Sequence, residues 1–337
     1  MHYFLGVDIG NTKSHALIAD EQGCCIGAGT AGPGSWEALG WERAQQVLHD
    51  IVDQALARAG ITRAAIAGAG FGYAGYDWPE DRPGHDAMIT SLGLNDTPFI
   101  LGNDTLVGLV AGAADGWGVV IVAGTSNNCR GRDRHGREGR VTGMGSWFGE
   151  FGGAAEIVSR AIQAVAAAWT RRGPHTALSA ALVRQAGAAD VPDLLAGLVR
   201  DRYALTAATA PLIFEIAGGG DPVAREIISW AGMELGSLAV GVIRQLDLAG
   251  ESFDVVLSGS TYRGGSLLLE PLRDTIQAVA PGARLVKLQA PPVVGGVLLG
   301  MEAAGIDAAP LRGRLLESAG ELLGSHSRNS VIEEAGQ

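Results

Sequence analysis

The chain has 337 residues, too many for one ordinary core, so two domains are expected. Apolar residues make up 47% and charged residues 18%, a balance that excludes a disordered chain. A net charge of −11 leaves no basic surface for bulk nucleic acid, and no uninterrupted apolar run has membrane-spanning length.

Residues 3–9, 14–20 and 24–30 read as an antiparallel meander entered directly from the N-terminus, without a secretory signal. Asp8 is followed by Gly10, Asn11, Thr12 and Lys13, which offer backbone N–H groups, a hydroxyl and an ammonium. This turn reads in two ways: as an anion cradle, or as an ordinary hairpin in which Asn11 is left-handed. Cys24 and Cys25 are adjacent on a strand and point to opposite faces, which suits buried apolar roles better than a shared metal or disulfide. With Cys129 they make an odd set without framework spacing, so a reducing cytoplasm is expected. A helix over 41–59 and a strand over 64–72 follow. The next loop carries Tyr73, Tyr76, Asp77 and Trp78, and either edges a site or packs as a surface loop. A helix over 83–93 and a short strand over 98–101 lead to Asn103 and Asp104, ahead of an apolar helix. A strand-end aspartate is either a crevice group or a helix N-cap.

The pattern then restarts. Residues 118–123 form a buried strand, and Gly124, Thr125, Ser126, Asn127 and Asn128 form a second polar turn. The hairpin over 126–143 turns at Asp133–Gly136, whose alternating charges read as a solvated turn. Alanine-rich helices fill the chain to about residue 250. A strand over 254–259 runs into Gly259 and Ser260, which can lie against a ring or a phosphate because little side chain intervenes. A helix over 267–280, a strand over 284–288 and a helix over 294–304 precede a tail whose last ten residues are expected to fray. The expected fold is two α/β domains, 1–116 and 117–337, the second with a helical insertion over about 155–250. Each domain opens with an antiparallel meander and continues into parallel strands.

Two polar turns, an acid in the cleft and a late glycine turn suit a nucleoside triphosphate laid across the domains. The turns hold phosphates, the glycines pass the nucleoside, and the acid takes the proton of an incoming hydroxyl. Asp8 would hold Mg²⁺, through water.

On these motifs the chain resembles the sugar kinase/actin/Hsp70 superfamily, which implies a ribonuclease-H-like, actin-like ATPase core in each domain. Within it the chain is similar to the N-acetylglucosamine kinases and the BadF/BadG/BcrA/BcrD ATPase family, over nearly its whole length. GVDIGNTKSHALI resembles the first phosphate motif, GNDTLVG the segment with the catalytic aspartate, AGTSNNCRG the second phosphate motif, GMGSWFGEFGGA the sugar loop and VVLSGS the adenosine motif. The resemblance implies Asp104 as the catalytic base and ATP with Mg²⁺ as cofactors. It implies nucleotide binding by Asp8, Gly10, Asn11, Thr12, Lys13, Gly124, Thr125, Ser126, Gly259 and Ser260. It implies sugar binding by Trp36, Asn103, Asp104, Thr125, Asn128, Gly145 and Glu150. The implied activity is transfer of phosphate from ATP to a hydroxyl of N-acetylglucosamine or a related hexosamine, in a cytoplasmic homodimer that binds neither nucleic acid nor membrane.

The departures fall on the acceptor side. Gly124-Thr125-Ser126 replaces Gly-Thr-Gly, Glu150-Phe151 replaces Asp-Glu, Gly153 replaces Ser, and Gly34 stands where an Asn is usual before Trp36. Phe151 in place of an acid makes the pocket less polar and open to another hexosamine or hydroxyl compound. Trp147 and Phe148 read as a lid or as core. The alternatives are a BadF/BadG-type ATPase that couples hydrolysis to a partner protein, a pantothenate-type kinase, and a sugar-sensing regulator.

Overall fold

The computed structural model describes residues 2–94 and 96–333, with side chains described to residue 323. Contacts divide the chain into two compact units: Met1–Val120 together with Val286–Gln337, and Ile121–Leu285.

The first unit opens with β1 (Tyr3–Ile9), β2 (Ser14–Asp20) and β3 (Cys25–Ala31). It continues through α1 (Trp36–Leu39), α2 (Trp41–Ala59), β4 (Ile66–Tyr73), α3 (Arg82–Ser91), β5 (Phe99–Asn103) and α4 (Asp104–Gly112). The strands form one sheet in the order β3-β2-β1-β4-β5. β1 pairs antiparallel with β2, and β2 with β3, while β4 runs parallel to both β1 and β5. The helix α2 buries Ala44, Leu48, Ile51, Val52, Ala55 and Leu56 at helical spacing, and these join Leu5, Val7, Ile18 and Phe71 in one core.

The second unit contains β6 (Gly118–Ala123), which enters it from the first, then β7 (Asn127–Arg132) and β8 (Glu138–Arg140). Five helices follow: α5 (Ala154–Trp169), α6 (Leu178–Ala186), α7 (Val191–Val199), α8 (Ala210–Gly218) and α9 (Pro222–Gln245). β9 (Phe253–Ser258), α10 (Ser266–Gln277) and β10 (Ala283–Lys287) complete it. The strand order is β10-β9-β6-β7-β8. Read from its other edge as β8-β7-β6-β9-β10, this sheet repeats the order of the first. The repetition expected from the two strand-turn-strand openings is therefore one of topology.

α11 (Val293–Ala303) and α12 (Arg312–Glu333) close the chain. The expected domain 117–337 is corrected here, because the segment from Val286 packs with the first unit. The physical reason is a close contact made by glycines. A Cβ on Gly6 would stand 2.4 Å from the Val297 nitrogen, and one on Gly70 would stand 2.1 Å from the Gly296 carbonyl oxygen. α11 thus lies backbone-to-backbone on β1 and β4, with Val294, Val297 and Leu299 fully buried. α12 extends to Glu333, into the stretch expected to fray; residues 334–337 lie outside the described residues.

One further expectation changes. Cys24 and Cys25 are half-buried, and only Cys129 is buried. Cys25 donates its N–H to Ser318 Oγ on α12 at 3.0 Å, and burial pushes its thiol up to about 11. Among the described residues, α9 is long and apolar enough to cross a membrane by length and composition. Its apolar side is instead buried in the second unit, where Gly232 and Gly236 let α10 approach closely.

Gly296→Val should destabilise the protein by about 3 kcal/mol, since a Cβ there meets the Gly6 Cα and Val7 N at 2.9 Å. Gly313→Ala on α12, which has open space around it, should change stability by about 0.5 kcal/mol or less. Chemical denaturation of the two variants checks both values.

Candidate functional site

In the first unit the site residues gather where parallel strands end. Asp8 on β1 is opposite Gly72 on β4, Gly72 is opposite Gly102 on β5, and Asp104 follows directly. Asn103, not Asp104, caps α4: its Oδ1 accepts the Thr105 N–H at 2.9 Å. Asp104 is the first residue inside the helix, so its carboxylate is not used as the cap.

Asn103 also ties down the following loop. Its Nδ2 donates to the Tyr73 and Tyr76 carbonyls at 3.4 Å and to Asp77 Oδ1 at 3.2 Å. Trp36 Nε1 donates to the Gly75 carbonyl at 2.7 Å, and the Trp36 ring stacks on Trp41 at 4.3 Å and 8°. Asp81 Oδ2 accepts the N–H groups of Asp77 and Trp78. The loop over 73–78 is therefore tied to Asn103 and Trp36. The link to Asn103 was not legible in the sequence, since nothing in the loop's composition shows that Asn103 reaches it.

The Gly10–Lys13 turn closes by a Gly10 N–H to Lys13 carbonyl bond of 3.1 Å and leaves Asn11, Thr12 and Lys13 exposed. Asn11 is not left-handed, which corrects that version of the hairpin. Asp8 is half-buried, and its carboxyl is pushed up to about 7. Burial is the main cause; the Asp104 charge adds to it and Lys13 opposes it. Two acids held this close are short of positive charge, so the pair fits a divalent cation. Among the described residues, no cluster of three or more His, Cys, Asp or Glu side chains could hold a metal.

In the second unit Gly124, Thr125 and Ser126 form the turn between β6 and β7, closed by a Gly124 N–H to Ser126 carbonyl bond of 2.9 Å. The first turn of α5 anchors it, with Ala154 and Ala155 donating to the Gly124 and Thr125 carbonyls. Gly259 is required to be glycine by its own unit. Its φ is 116°, and the space a side chain would need is filled by Ala123, whose carbonyl oxygen is 2.1 Å from the Cβ position. Ser260 instead lines a cavity of about 610 Å³ with Gly124, Thr125, Pro211, Phe214 and Arg263. Phe214 and Arg263 were missed from sequence because each lies in a segment whose fold neighbours are remote in the chain.

The residues expected on the acceptor side in this unit are Thr125, Asn128, Gly145 and Glu150. Glu150 is buried, and both its oxygens are spent on its own loop: Oε1 accepts the Thr142 N–H at 2.6 Å and Oε2 the Gly145 N–H at 3.3 Å. These two bonds hold the loop over 142–150. Asn128 lies beside Gly143, and its Oδ1 is buried without a hydrogen-bond partner. Trp147 and Phe148 are 91% and 59% exposed, which excludes the core reading for both.

The sequence profile of the BadF/BadG/BcrA/BcrD ATPase family matches residues 5–300. An N-acetylmuramic acid/N-acetylglucosamine kinase of Clostridium acetobutylicum is 24% identical over 301 residues, 89% of this chain and 98% of that protein. An N-acetyl-D-glucosamine kinase of Dictyostelium discoideum is 25% identical over 310 residues, 88% of this chain and 97% of that protein. A solved Chromobacterium violaceum protein, provisionally named as an N-acetylglucosamine kinase, is 23% identical with a TM-score of 0.62, covering 89% of this chain and 99% of that one. At that identity the likeness concerns the fold alone.

Asp8 keeps its proton in the folded state up to about pH 7, against 3.8 in the unfolded chain. The folded state therefore binds more protons across that window, and stability falls as pH rises from about 4 to 7. Asp8→Asn should flatten this slope, with its stability advantage growing up to about pH 7 and then levelling. Thermal melts across that range, without nucleotide or divalent cation, check it.

Proposed function

The chain belongs to the BadF/BadG/BcrA/BcrD ATPase family, and within it we propose that this protein is an ATP-dependent kinase of an amino sugar, N-acetylglucosamine or a close relative. The observation that carries the reading is the pair Asp8 and Asp104, held at strand ends beside the exposed Asn11–Lys13 turn, with Asn103 taking the helix cap. Both curated relatives are named as amino-sugar kinases.

Asp104 acts as the general base, accepting the proton of the acceptor hydroxyl as its oxygen attacks the γ-phosphate. Asn103 orients that carboxylate by fixing the start of α4. Asn11, Thr12 and Lys13 in the first unit and Thr125 and Ser126 in the second hold phosphates. The apolar walls around Pro211 and Phe214 take the base of the nucleotide. Asn128 Oδ1, which has no partner in the protein, accepts a hydrogen bond from a sugar hydroxyl or amide. Mg²⁺ belongs to the same reading: Asp8 would hold it, and it would supply charge neutralisation to the transferring phosphoryl group. A homodimer and a cytoplasmic location are part of this reading as well.

ADP release with Mg-ATP should rise strongly with one amino sugar in a panel. The panel is N-acetylglucosamine, glucosamine, N-acetylmannosamine, N-acetylmuramic acid, glucose, pantothenate and a blank. Release that no acceptor changes would favour a coupling ATPase instead. Asp104→Asn should lower kcat by about 100-fold or more and leave ATP affinity nearly unchanged, as read by turnover and nucleotide titration. Full turnover in that variant would remove Asp104 from the base role.

A further inference from the structure

The cavity of about 610 Å³ in the second unit has one charged group in its lining, Arg263, and that group can only donate hydrogen bonds. We propose that Arg263 reads the edge of the nucleotide base, so that guanine and hypoxanthine nucleotides serve as phosphate donors beside ATP. The inference rests on the reading of this cavity as the base site of the nucleotide.

The walls grip a purine without telling one from another. Pro211 and Phe214 supply apolar surface, and Ala207, Ala208 and Ala210 project no further than a methyl. The Phe214 ring packs on Gly264, where a Cβ would stand 2.1 Å from its Cε1. Contact and stacking of this kind are tolerant of base identity, since every base has a π-face. An apolar pocket separates close analogues only weakly, whereas a site built to bond one polar group strongly rejects an analogue that lacks it. Choice of base therefore falls to hydrogen bonds at its edge.

Adenine and guanine differ there. Both present the N7 acceptor; beside it adenine carries an amino donor and guanine a carbonyl acceptor. Selecting adenine requires an acceptor from the protein. Among the described residues, no Asp, Glu, Asn or Gln lines the cavity. Carbonyls of the wall are already engaged. Gly124 accepts the Ala154 N–H at 2.9 Å and Thr261 Oγ1 at 3.4 Å, Thr125 accepts the Ala155 N–H at 3.1 Å, and Ala207 accepts the Ala210 N–H. Ser260 offers a hydroxyl, which donates or accepts and so favours neither base.

Arg263 is placed for the other choice. It sits on the short turn Ser260–Gly264, bounded by Gly259 and Gly265 with φ of 116° and 74°. It is exposed and, among the described residues, makes no hydrogen bond or ion pair. Its planar fork of N–H groups matches the paired N7 and carbonyl acceptors of guanine. Against adenine, one of those donors would face the amino group.

The test is titration of Mg-GDP and Mg-ADP into the protein without acceptor, so that it does not depend on which sugar is phosphorylated. The wild-type protein should bind GDP within about tenfold of ADP, or more tightly. Arg263→Gln should shift the ratio of affinities about tenfold toward ADP, because a side-chain amide pairs with the N7 and amino edge of adenine. Arg263→Lys keeps the charge, loses the fork, and should shift the ratio in the same direction by a smaller factor. Since Arg263 is exposed and unpartnered, both variants should fold. If Arg263→Gln weakens both nucleotides equally, the guanidinium serves phosphate attraction and the base-reading role is overturned. Wild-type binding of GDP more than tenfold weaker than ADP overturns it as well, and leaves the kinase reading intact. Binding of neither nucleotide takes down the base site and this inference together.

Discussion

The contact that most of the first unit depends on is the bare-backbone packing of α11 on β1 and β4. Gly6, Gly68 and Gly70 on the sheet meet Gly296 and Gly300 on the helix, and any side chain at these points would collide with backbone. Such packing maximises dispersion contact but cannot relax by rotating a side chain. It returns the end of the chain to the unit where it began. It also holds still the two strands whose ends carry Asp8 and the loop over 73–78.

On that rigid base, one amide does much of the positioning. Asn103 caps α4 with its oxygen and clamps the loop over 73–77 with its nitrogen, so the helix start and the loop move as one. The loop in turn receives Trp36 through the Gly75 carbonyl. Because its neighbour is the cap, α4 does not use the Asp104 carboxylate for that purpose. Burial of Asp8 raises its proton affinity, and the Asp104 charge adds to that. Phosphoryl transfer asks a protein chiefly for position and charge compensation; in the proposed reading the fixed start of α4 would supply the first and the Asn11–Lys13 turn part of the second.

The second unit uses the same strand order for a different purpose. Its first turn is anchored by the start of α5 rather than closed by a clamped loop, and one of its cavities lies between that turn, the segment after β9 and the helices inserted after β8. Glu150 shows how a polar residue in such a loop can serve the fold. Buried and doubly bonded to backbone N–H groups, it fixes the path of a segment that carries two exposed aromatic rings.

Short-range features determined much of this protein. Alternating and helical apolar spacing set the meander, the helix over 41–59 and the second start near residue 118, because those signals are local and periodic. The polar turns after β1 and β6 were legible for the same reason, as was the acid at the end of β5. What only the tertiary structure decided involves partners far apart in the chain. The return of Val286 onward to the first unit rests on glycine contacts more than 220 residues apart, which no window of sequence contains. The same holds for the use of Gly259 against Ala123, the spending of both Glu150 oxygens on its own loop, and the stacking of Arg160 on Trp230. Sequence names which groups are available for chemistry. Whether each group is consumed by the fold or left for a ligand depends on which neighbour folding brings to it.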